Sequence, residues 1–571
     1  MCFHVKFINK FSKTTITLVI LYFMSSGEVP DSSTNINIPL TELPKLTISA
    51  TRLEIEVEKL PQKVEIIDKH DLELTIADDV TDVLKKNASI DIIQYPGLLS
   101  GAGIRGFRPG TYGINQRTLL LFDGRPAGAT NLSVMQTYNI EGIEILKGPV
   151  SALYGPQAMG GVINIIPKRS TDGLNSQLKF KISSFEVVEG QIHSGGRLFK
   201  YLNFDFAGAV FNQGKDYRIG SEYSLKHFYN DDNKGKPRHK LRNGSEVTVD
   251  DMGNGVIRRN TKYDKKNFTL RLGSDLLDDK ISIDIRGDMF NADNVESPGD
   301  IAYGDNGAGL KNLRRHDENI TLRGNFGVNK FKLLQYAAEE FSEQFRGFNP
   351  GETMYMEYSS GTQWIGFQIK NDMYFPLKNT FIKPVITFGL DFNKTETWSK
   401  KWSKTGELTA PYWPGAGEKN IGIFSQLFGD IKNGFVTATA GLRYDRITSE
   451  ILKSSFFPNS IPREESFDVF APSYGLTASP LKFFTNSYSV TLYHNFGKGF
   501  VPQPAGNIAG FNVGKPDTTG HVEILQGNPD LKPEQNFTVD GGIRIGLKPF
   551  GINLGFGFYR SIVENFADYG Y

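Results

Sequence analysis

EGIEILKGPVSALYGPQAMGGVINIIPK, residues 141–168, decides how the rest of the chain is read. Ile140, Ile143, Ile145 and Leu146 form a strand-like apolar run that breaks at Gly148-Pro149. A small-residue stretch from Ser151 to Gly161 follows, holding Tyr154, Gly155 and Gly160, and a second strand-like run covers Val162–Ile166. Glycine and proline allow reversals where other side chains would clash. Such a density of Gly, Ala and Ser lets backbones pack closely in a confined space.

Downstream, from about residue 175, the apolar period becomes two. Leu178, Phe180 and Ile182 alternate with Lys179, Lys181 and Ser183, and Leu202, Phe204 and Phe206 with Asn203 and Asp205. Ile281, Ile283 and Ile285 alternate with Ser282, Asp284 and Arg286, and Val436, Ala438, Ala440, Leu442 and Tyr444 with Thr437, Thr439, Gly441 and Arg443. Strands with one apolar and one polar face suit either a half-buried sheet or a wall between lipid and a wet lumen. Tight turns are expected at Asp278-Asp279, Asn329-Lys330, Lys432-Asn433-Gly434 and Lys548-Pro549, with long loops at 213–245, 291–316, 347–361, 398–418 and 500–533. Short turns on one side and long loops on the other mark a membrane barrel, with about fifteen strands in this chain.

Upstream, the pattern is mixed. Asp78–Lys86 (DDVTDVLKK) reads as a short helix with Val80, Val83 and Leu84 on one face, and Leu119–Phe122 as a buried strand entering a turn at Asp123-Gly124. Ile104-Arg105-Gly106-Phe107, Leu120–Gly124 (LLFDG) and the 141–168 segment occur in that order, and together they closely resemble the plug domain of TonB-dependent outer-membrane receptors. Asn528–Glu534 (NPDLKPE) with Gly499–Pro502 resembles that family's paired barrel motifs around a long extracellular loop. The resemblance implies an α/β plug at 53–170 inside a transmembrane antiparallel barrel at 171–571. It also implies active import of a scarce ligand across the bacterial outer membrane.

Leu46, Thr47, Ile48, Ser49 and Ala50, followed by Thr51-Arg52, resemble the TonB box, the extended peptide that hooks the energising partner. Its chemistry needs little beyond a strand-forming segment able to add an edge to a partner sheet. An ordinary first strand is the plainer reading. The resemblance implies TonB, driven by ExbB–ExbD, as the periplasmic partner. Arg105, Glu141, Glu144 and Lys147 are expected to hold the plug in a wet lumen through polar pairs to the barrel. The family usually carries arginine before the Gly-Pro; Lys147 here gives up bidentate pairing with a carboxylate.

Residues 1–27 read as an export signal: Lys6, Lys10 and Lys13, an apolar core at Ile16–Met24 too short to span a bilayer, then Ser25-Ser26-Gly27. Residues 28–52 are a polar lead that carries the box. The only cysteine, Cys2, falls in the signal, so the mature chain is expected to hold no thiol and no disulfide. With 64 basic and 63 acidic residues there is no cationic surplus for nucleic acid. Gly101–Gly106 (GAGIRG) fits a dinucleotide pattern, but Phe107-Arg108-Pro109-Gly110 cannot open the helix that pattern requires. No paired nucleophile or metal-ligand spacing suggests an enzyme or an intrinsic cofactor.

Ligand is expected at the plug apex and outer loops, with Arg108, Tyr112, Tyr355, Tyr358, Trp402, Trp413 and His521 as candidates. Aromatic rings there suit a bulky chelate or an interfacial girdle. His521 would serve haem. The basic run Lys234–Arg242 suits an anionic ferric chelate or lipopolysaccharide phosphates. The resemblance ranks a ferric siderophore first, cobalamin second and haem third, with a non-transporting adhesin or passive pore as the rival from another class. The family's barrel has roughly 22 strands. Since open edges in lipid are costly, the chain is expected to be a fragment lacking roughly six or seven strands.

Overall fold

The computed structural model describes residues 47–566 apart from 50, 112, 115, 219–257, 259, 299–307, 348–352, 376–380, 413, 457–463, 486, 513–523, 527 and 529. Residues 1–27, read above as an export signal, and Leu46, Ala50, Tyr112, Trp413, His521 and the Lys234–Arg242 run lie outside the described residues.

The first domain is small and mixed. Strands β1 (Thr47–Ile48) and β2 (Ile55–Glu56) pair across a reversal at which Arg52 takes a φ of 60°. β3 (Lys63–Ile67) and α1 (Lys69–Leu74) follow, then α2 (Val80–Asn87). α2 starts where Asp79 can cap it, accepting from the amides of Thr81 at 2.8 Å and Asp82 at 3.2 Å. Its apolar face, Val80, Val83 and Leu84, is buried as the spacing predicts. β4 (Asp91–Tyr95) and β5 (Leu99–Gly103) form a hairpin. β6 (Thr118–Phe122) turns at Asp123-Gly124, both in the left-handed region, into β7 (Arg125–Pro126). β8 (Ile140–Lys147), α3 (Ser151–Tyr154) and β9 (Gly161–Pro167) complete the domain.

The sheet runs β3-β8-β9-β6-β7, with β6 and β9 parallel. It is covered on both faces, so β8 and β9 are apolar almost throughout. Ile143, Ile145, Ile163 and Ile165 meet α2 on one side, while Leu146, Val162 and Leu121 meet Leu53 and Leu60 on the other. Gly101 and Gly103 sit in β5 and no helix follows them.

The second domain is a single antiparallel meander. Its strands are β10 (Asn175–Ser183), β11 (Val187–Phe199), β12 (Leu202–Gln213), β13 (Tyr263–Leu276), β14 (Ile281–Ser297), β15 (Gly309–Phe326), β16 (Asn329–Arg346), β17 (Tyr355–Tyr374) and β18 (Ile382–Trp402). A short β19 (Leu408–Thr409) folds back on the end of β18, and β20 (Ala416–Ile431), β21 (Val436–Ile451), β22 (Glu464–Ala478) and β23 (Tyr488–Val501) continue the path. β24 (Gly510–Asn512) and β25 (Ile524–Gln526) pair with each other, and β26 (Glu534–Leu547) and β27 (Ile552–Glu564) close the series. Neighbours in sequence are neighbours in the sheet, whose outer edges are β10 and β27.

Burial is inverted relative to a soluble protein. Phe388, Leu390, Ile421, Ile423, Leu442, Phe470 and Leu476 face outward and are exposed, whereas Asp391, Arg443, Asp445, Thr387 and Thr437 face inward and are buried. A belt of exposed apolar side chains wrapped around a polar interior is the signature of a lipid-embedded barrel. It removes the alternative of a half-buried sheet in a soluble fold. Among the described residues no helix is long and apolar enough to cross a membrane; the strands make the crossing.

Two local expectations need correction. The reversal between β15 and β16 is at Gly327-Val328, with Asn329 and Lys330 already in strand. β14 and β15 also run well into the expected 291–316 loop, and Tyr355 and Tyr358 lie within β17. Beyond the lipid belt both strand faces are wet, so alternation vanishes from the sequence although the ladder continues.

Candidate functional site: the contact between plug and barrel

The motifs read from sequence converge where the first domain meets the inward wall of the second. Arg105 and Gly106, at φ 60° and 79°, turn the chain so that the Arg105 guanidinium reaches Asp540 of β26, with Nη1 3.0 Å from Oδ2 and the cation 4.6 Å from the Tyr559 ring. Gly148 lies directly beneath. A Cβ there would stand 2.6 Å from Arg105 Nη1 and 3.3 Å from Asp540 Oδ2. Gly160 in turn lies against the Ile104 carbonyl, where a Cβ would come within 2.9 Å. The separate sequence motifs are therefore one packed object.

Gly155 meets a second inward cluster. Asp391 of β18 and Asp445 of β21 both pair in register with Gly422 of β20. The side-chain-free position lets the Arg443 guanidinium lie across it and bind both carboxylates, at 2.6 and 2.7 Å. Gly155, at φ 76°, brings its backbone onto this pair; a Cβ there would be 2.9 Å from Arg443 Nη2. Asp391 also receives Arg52 in a bidentate pair at 2.9 and 2.8 Å, and the Arg52 guanidinium is clamped between the Tyr154 and Phe424 rings at 4.5 and 4.6 Å.

Further plug cations repeat the arrangement. Arg125 Nη2 meets Asp317 at 2.8 Å with neither exposed, Arg117 is bidentate on Glu534 at 2.7 and 2.8 Å, and Lys59 reaches Asp430 at 2.9 Å. The reverse polarity is rarer: Asp78 receives Lys181 at 2.5 Å, and Asp123 receives Arg323 at 3.4 Å. Burial alone would lift the Asp123 carboxyl, but Arg169, Lys332 and Arg323 around it outweigh burial and hold it well below the usual range. Charge-assisted bonds of this kind hold only at good geometry and let go on small displacement, unlike a broad apolar contact.

Of the four charges expected to tie plug to barrel, Arg105 does so. Lys147 turns inward within the plug, donating to Glu65 and to the Ser89 carbonyl, each at 2.6 Å, because β3 lies beside it in the sheet. Glu141 is exposed on β8. Glu144 faces the segment that begins at Ser49: it accepts from the Ser49 amide at 2.9 Å, from Ser49 Oγ at 3.2 Å and from Asn164 Nδ2 at 3.0 Å. The segment Ser49–Arg52 is thus pinned at one end to the plug sheet and at the other to the barrel wall. The sequence marks Arg52 only as the residue that flanks the box-like segment and does not mark Lys59, Arg117 or Arg125 at all, because nothing in it separates an inward-reaching cation from a solvated one.

Residues 56–162 match the TonB-dependent receptor plug domain, and residues 246–571, more than half the chain, match the TonB-dependent receptor-like β-barrel. The chain belongs to the TonB-dependent receptor family. It is 22% identical to the "Probable TonB-dependent siderophore receptor PirA" of Acinetobacter baumannii, over 92% of this chain and 70% of that one. It is 33% identical to the vitamin B12 transporter BtuB of Vibrio vulnificus, over 131 residues, 22% of this chain and 21% of that protein. The siderophore receptor PiuA from Acinetobacter baumannii superposes with a TM-score of 0.63 at 14% identity, over 90% of this chain and 73% of that structure, which speaks to fold alone. The family and the lipid-facing belt place the receptor in the bacterial outer membrane.

At the long-loop end of the receptor, Arg108 stands exposed on the plug apex. Tyr358 lies 5.5 Å from Tyr412, Lys401 Nζ sits 3.8 Å over the Tyr412 ring, and Glu357 holds Arg346 at 2.7 Å. These line one stretch of wall with Tyr355. Trp402 shares strand parity with the outward Phe388 and Leu390, and Trp398 packs on outward Phe341, so both face away from the lumen. Trp364 has the opposite parity and lies over Gly128 of the plug.

Proposed function

We propose that this receptor imports a ferric chelate, bound at the plug apex and outer wall, using force delivered by TonB and ExbB–ExbD. The observation that carries the reading is the double mooring of Ser49–Arg52, on Glu144 of the plug and Asp391 of the barrel. A segment held by a handful of polar bonds at the end of a leash is suited to be withdrawn, paired as an extra strand with a periplasmic partner, and pulled. The plug around it is seated by ion pairs that part under displacement. The siderophore receptor named among its relatives, matched over 92% of this chain, supports a chelated metal as cargo, while the likeness to the B12 transporter covers 22% of it. No cofactor of the protein's own enters this reading.

Deleting residues 46–52 in the full-length gene tests it. Ligand binding to cells should persist while uptake stops. An adhesin or passive pore would be indifferent to the deletion. Growth on single ferric chelates, haem or cobalamin then identifies the cargo.

A further inference from the structure

The plug is not seated equally all round. On the β23 side it is pressed against backbone: a Cβ at Gly497 would lie 2.7 Å from the Pro149 carbonyl oxygen, and one at Gly499 2.7 Å from Met159 Cα. On the β14–β17 side, at the short-turn rim, plug and wall stand apart around a cavity of about 510 Å³. Ser49, Arg52 and Glu144 form part of its lining, so the moored segment is one of its walls.

The lining is rich in cations, and their pairing is incomplete. Arg169 and Arg323 share Asp123, Arg323 also binds Asp284 of β14, and Lys370 is held by Asp372 at 2.7 Å. Lys280, Lys330 and Lys332 have no carboxylate within ion-pair reach among the described residues. Lys332, on the inward face of β16, donates only to the Asp123 carbonyl at 3.2 Å, and Lys330 lies 5.1 Å over the Tyr374 ring. Glu54 and Asp279, the remaining carboxylates of the lining, are exposed at the rim. The exposed ammonium groups of Lys280 and Lys330, unmatched at the mouth of a recess between low-dielectric walls, concentrate anions. Ammonium groups on flexible stems grip an oxygen-rich anion without demanding one geometry.

We propose that this cavity is the exit vestibule of the receptor, a transient site for a multiply anionic, oxygen-rich chelate on its way to the periplasm. This deepens the import reading and rests on it for the identity of the occupant. Withdrawal of Ser49–Arg52 removes one wall of the cavity and frees Lys370 from the Arg52 carbonyl it now holds. The path opens where the plug is loosely seated, with Lys332, Lys330 and Lys280 in succession towards the rim.

The chain's only cysteine, Cys2, allows a direct test. In the full-length receptor with Cys2→Ser, a Ser282→Cys substitution puts a thiol on the cavity wall. An anionic methanethiosulfonate should label it on the order of tenfold faster than a cationic one of similar size, and salt should erase the difference. Lys330→Gln with Lys332→Gln should also erase it. A wild-type ratio near one, or one insensitive to both salt and the lysines, overturns the vestibule, and the wild-type salt series decides even where the variants fold poorly. Uptake separates the two readings. A receptor that shows the labelling preference but never transports any chelate would sink import and leave the anion site standing. One that transports anionic and neutral chelates with equal loss, or equal indifference, in the lysine variants would sink the vestibule alone.

Discussion

Arg52→Ala should release the segment that carries Ser49 without unfolding the plug. The substitution removes two hydrogen bonds to Asp391, at 2.9 and 2.8 Å, and the contacts of the guanidinium with Tyr154 and Phe424. Charge-assisted bonds contribute about 1.5–3 kcal/mol, and the flanking rings add about 0.5–1 kcal/mol each. Asp391 keeps Arg443 at 2.6 Å, so the full penalty of a stranded buried charge is not incurred. A net cost of about 3 kcal/mol shifts the docked–undocked equilibrium roughly a hundredfold. With Cys2→Ser and Ile48→Cys, the rate at which a soluble maleimide labels residue 48 from the periplasmic side reports that equilibrium. It should rise towards a hundredfold in Arg52→Ala and by less in Arg52→Lys, which keeps the charge but loses the fork. Arg446→Ala, on a residue 60% exposed on the outward face, is the control. A labelling rate within about twofold of the control would refute the assignment of Arg52 as a mooring.

Three further outcomes follow from the same geometry. Burial pushes the Asp79 carboxyl up to about 6, with Lys265 opposing and Asp82 assisting, against 3.8 for an unperturbed group. The folded plug therefore holds a proton that the unfolded chain has released, so stability should fall by up to about 3 kcal/mol as pH rises from 4 to 6 and level off above. Asp79→Asn keeps a helix cap and should raise the thermal midpoint at pH 8 while leaving it unchanged at pH 4. Gly155→Ala should cost about 2–3 kcal/mol, because it combines a φ of 76° with a Cβ 2.9 Å from Arg443; Gly124→Ala, also in the plug, at φ 77° with nothing within 4 Å, isolates the backbone share, and protease nicking of the plug reads the difference. Deletion of 46–52 completes the set, with binding kept and uptake lost.

Much of the architecture was legible because it is local. Two-residue alternation marks a strand whose faces see different solvents, and Asp123-Gly124 or Lys432-Asn433-Gly434 mark reversals through their left-handed backbone. Legibility failed where both faces see water, which is why β14 and β15 were cut short. It fails again for side chains whose direction depends on strand parity: Trp402 lies in a loop-like, aromatic-rich stretch that suits a ligand contact, and it faces outward. Charge alone points Lys147 and Glu144 at the barrel, yet the sheet neighbours β3 and β9 and the Ser49 segment claim them first.

By itself the sequence determined the elements, their order, and the requirement that residues 148–161 lie against something that leaves no room for side chains. Which partners fill that closeness was settled only by folding. Arg105 and Asp540 are 435 positions apart, Arg52 and Asp391 339, and Arg125 and Asp317 192. The physical reason is that a charge is indifferent to chain distance. Its partner is whichever carboxylate the register of the sheet delivers to the same few ångströms of dry space, and register is a property of all the strands at once.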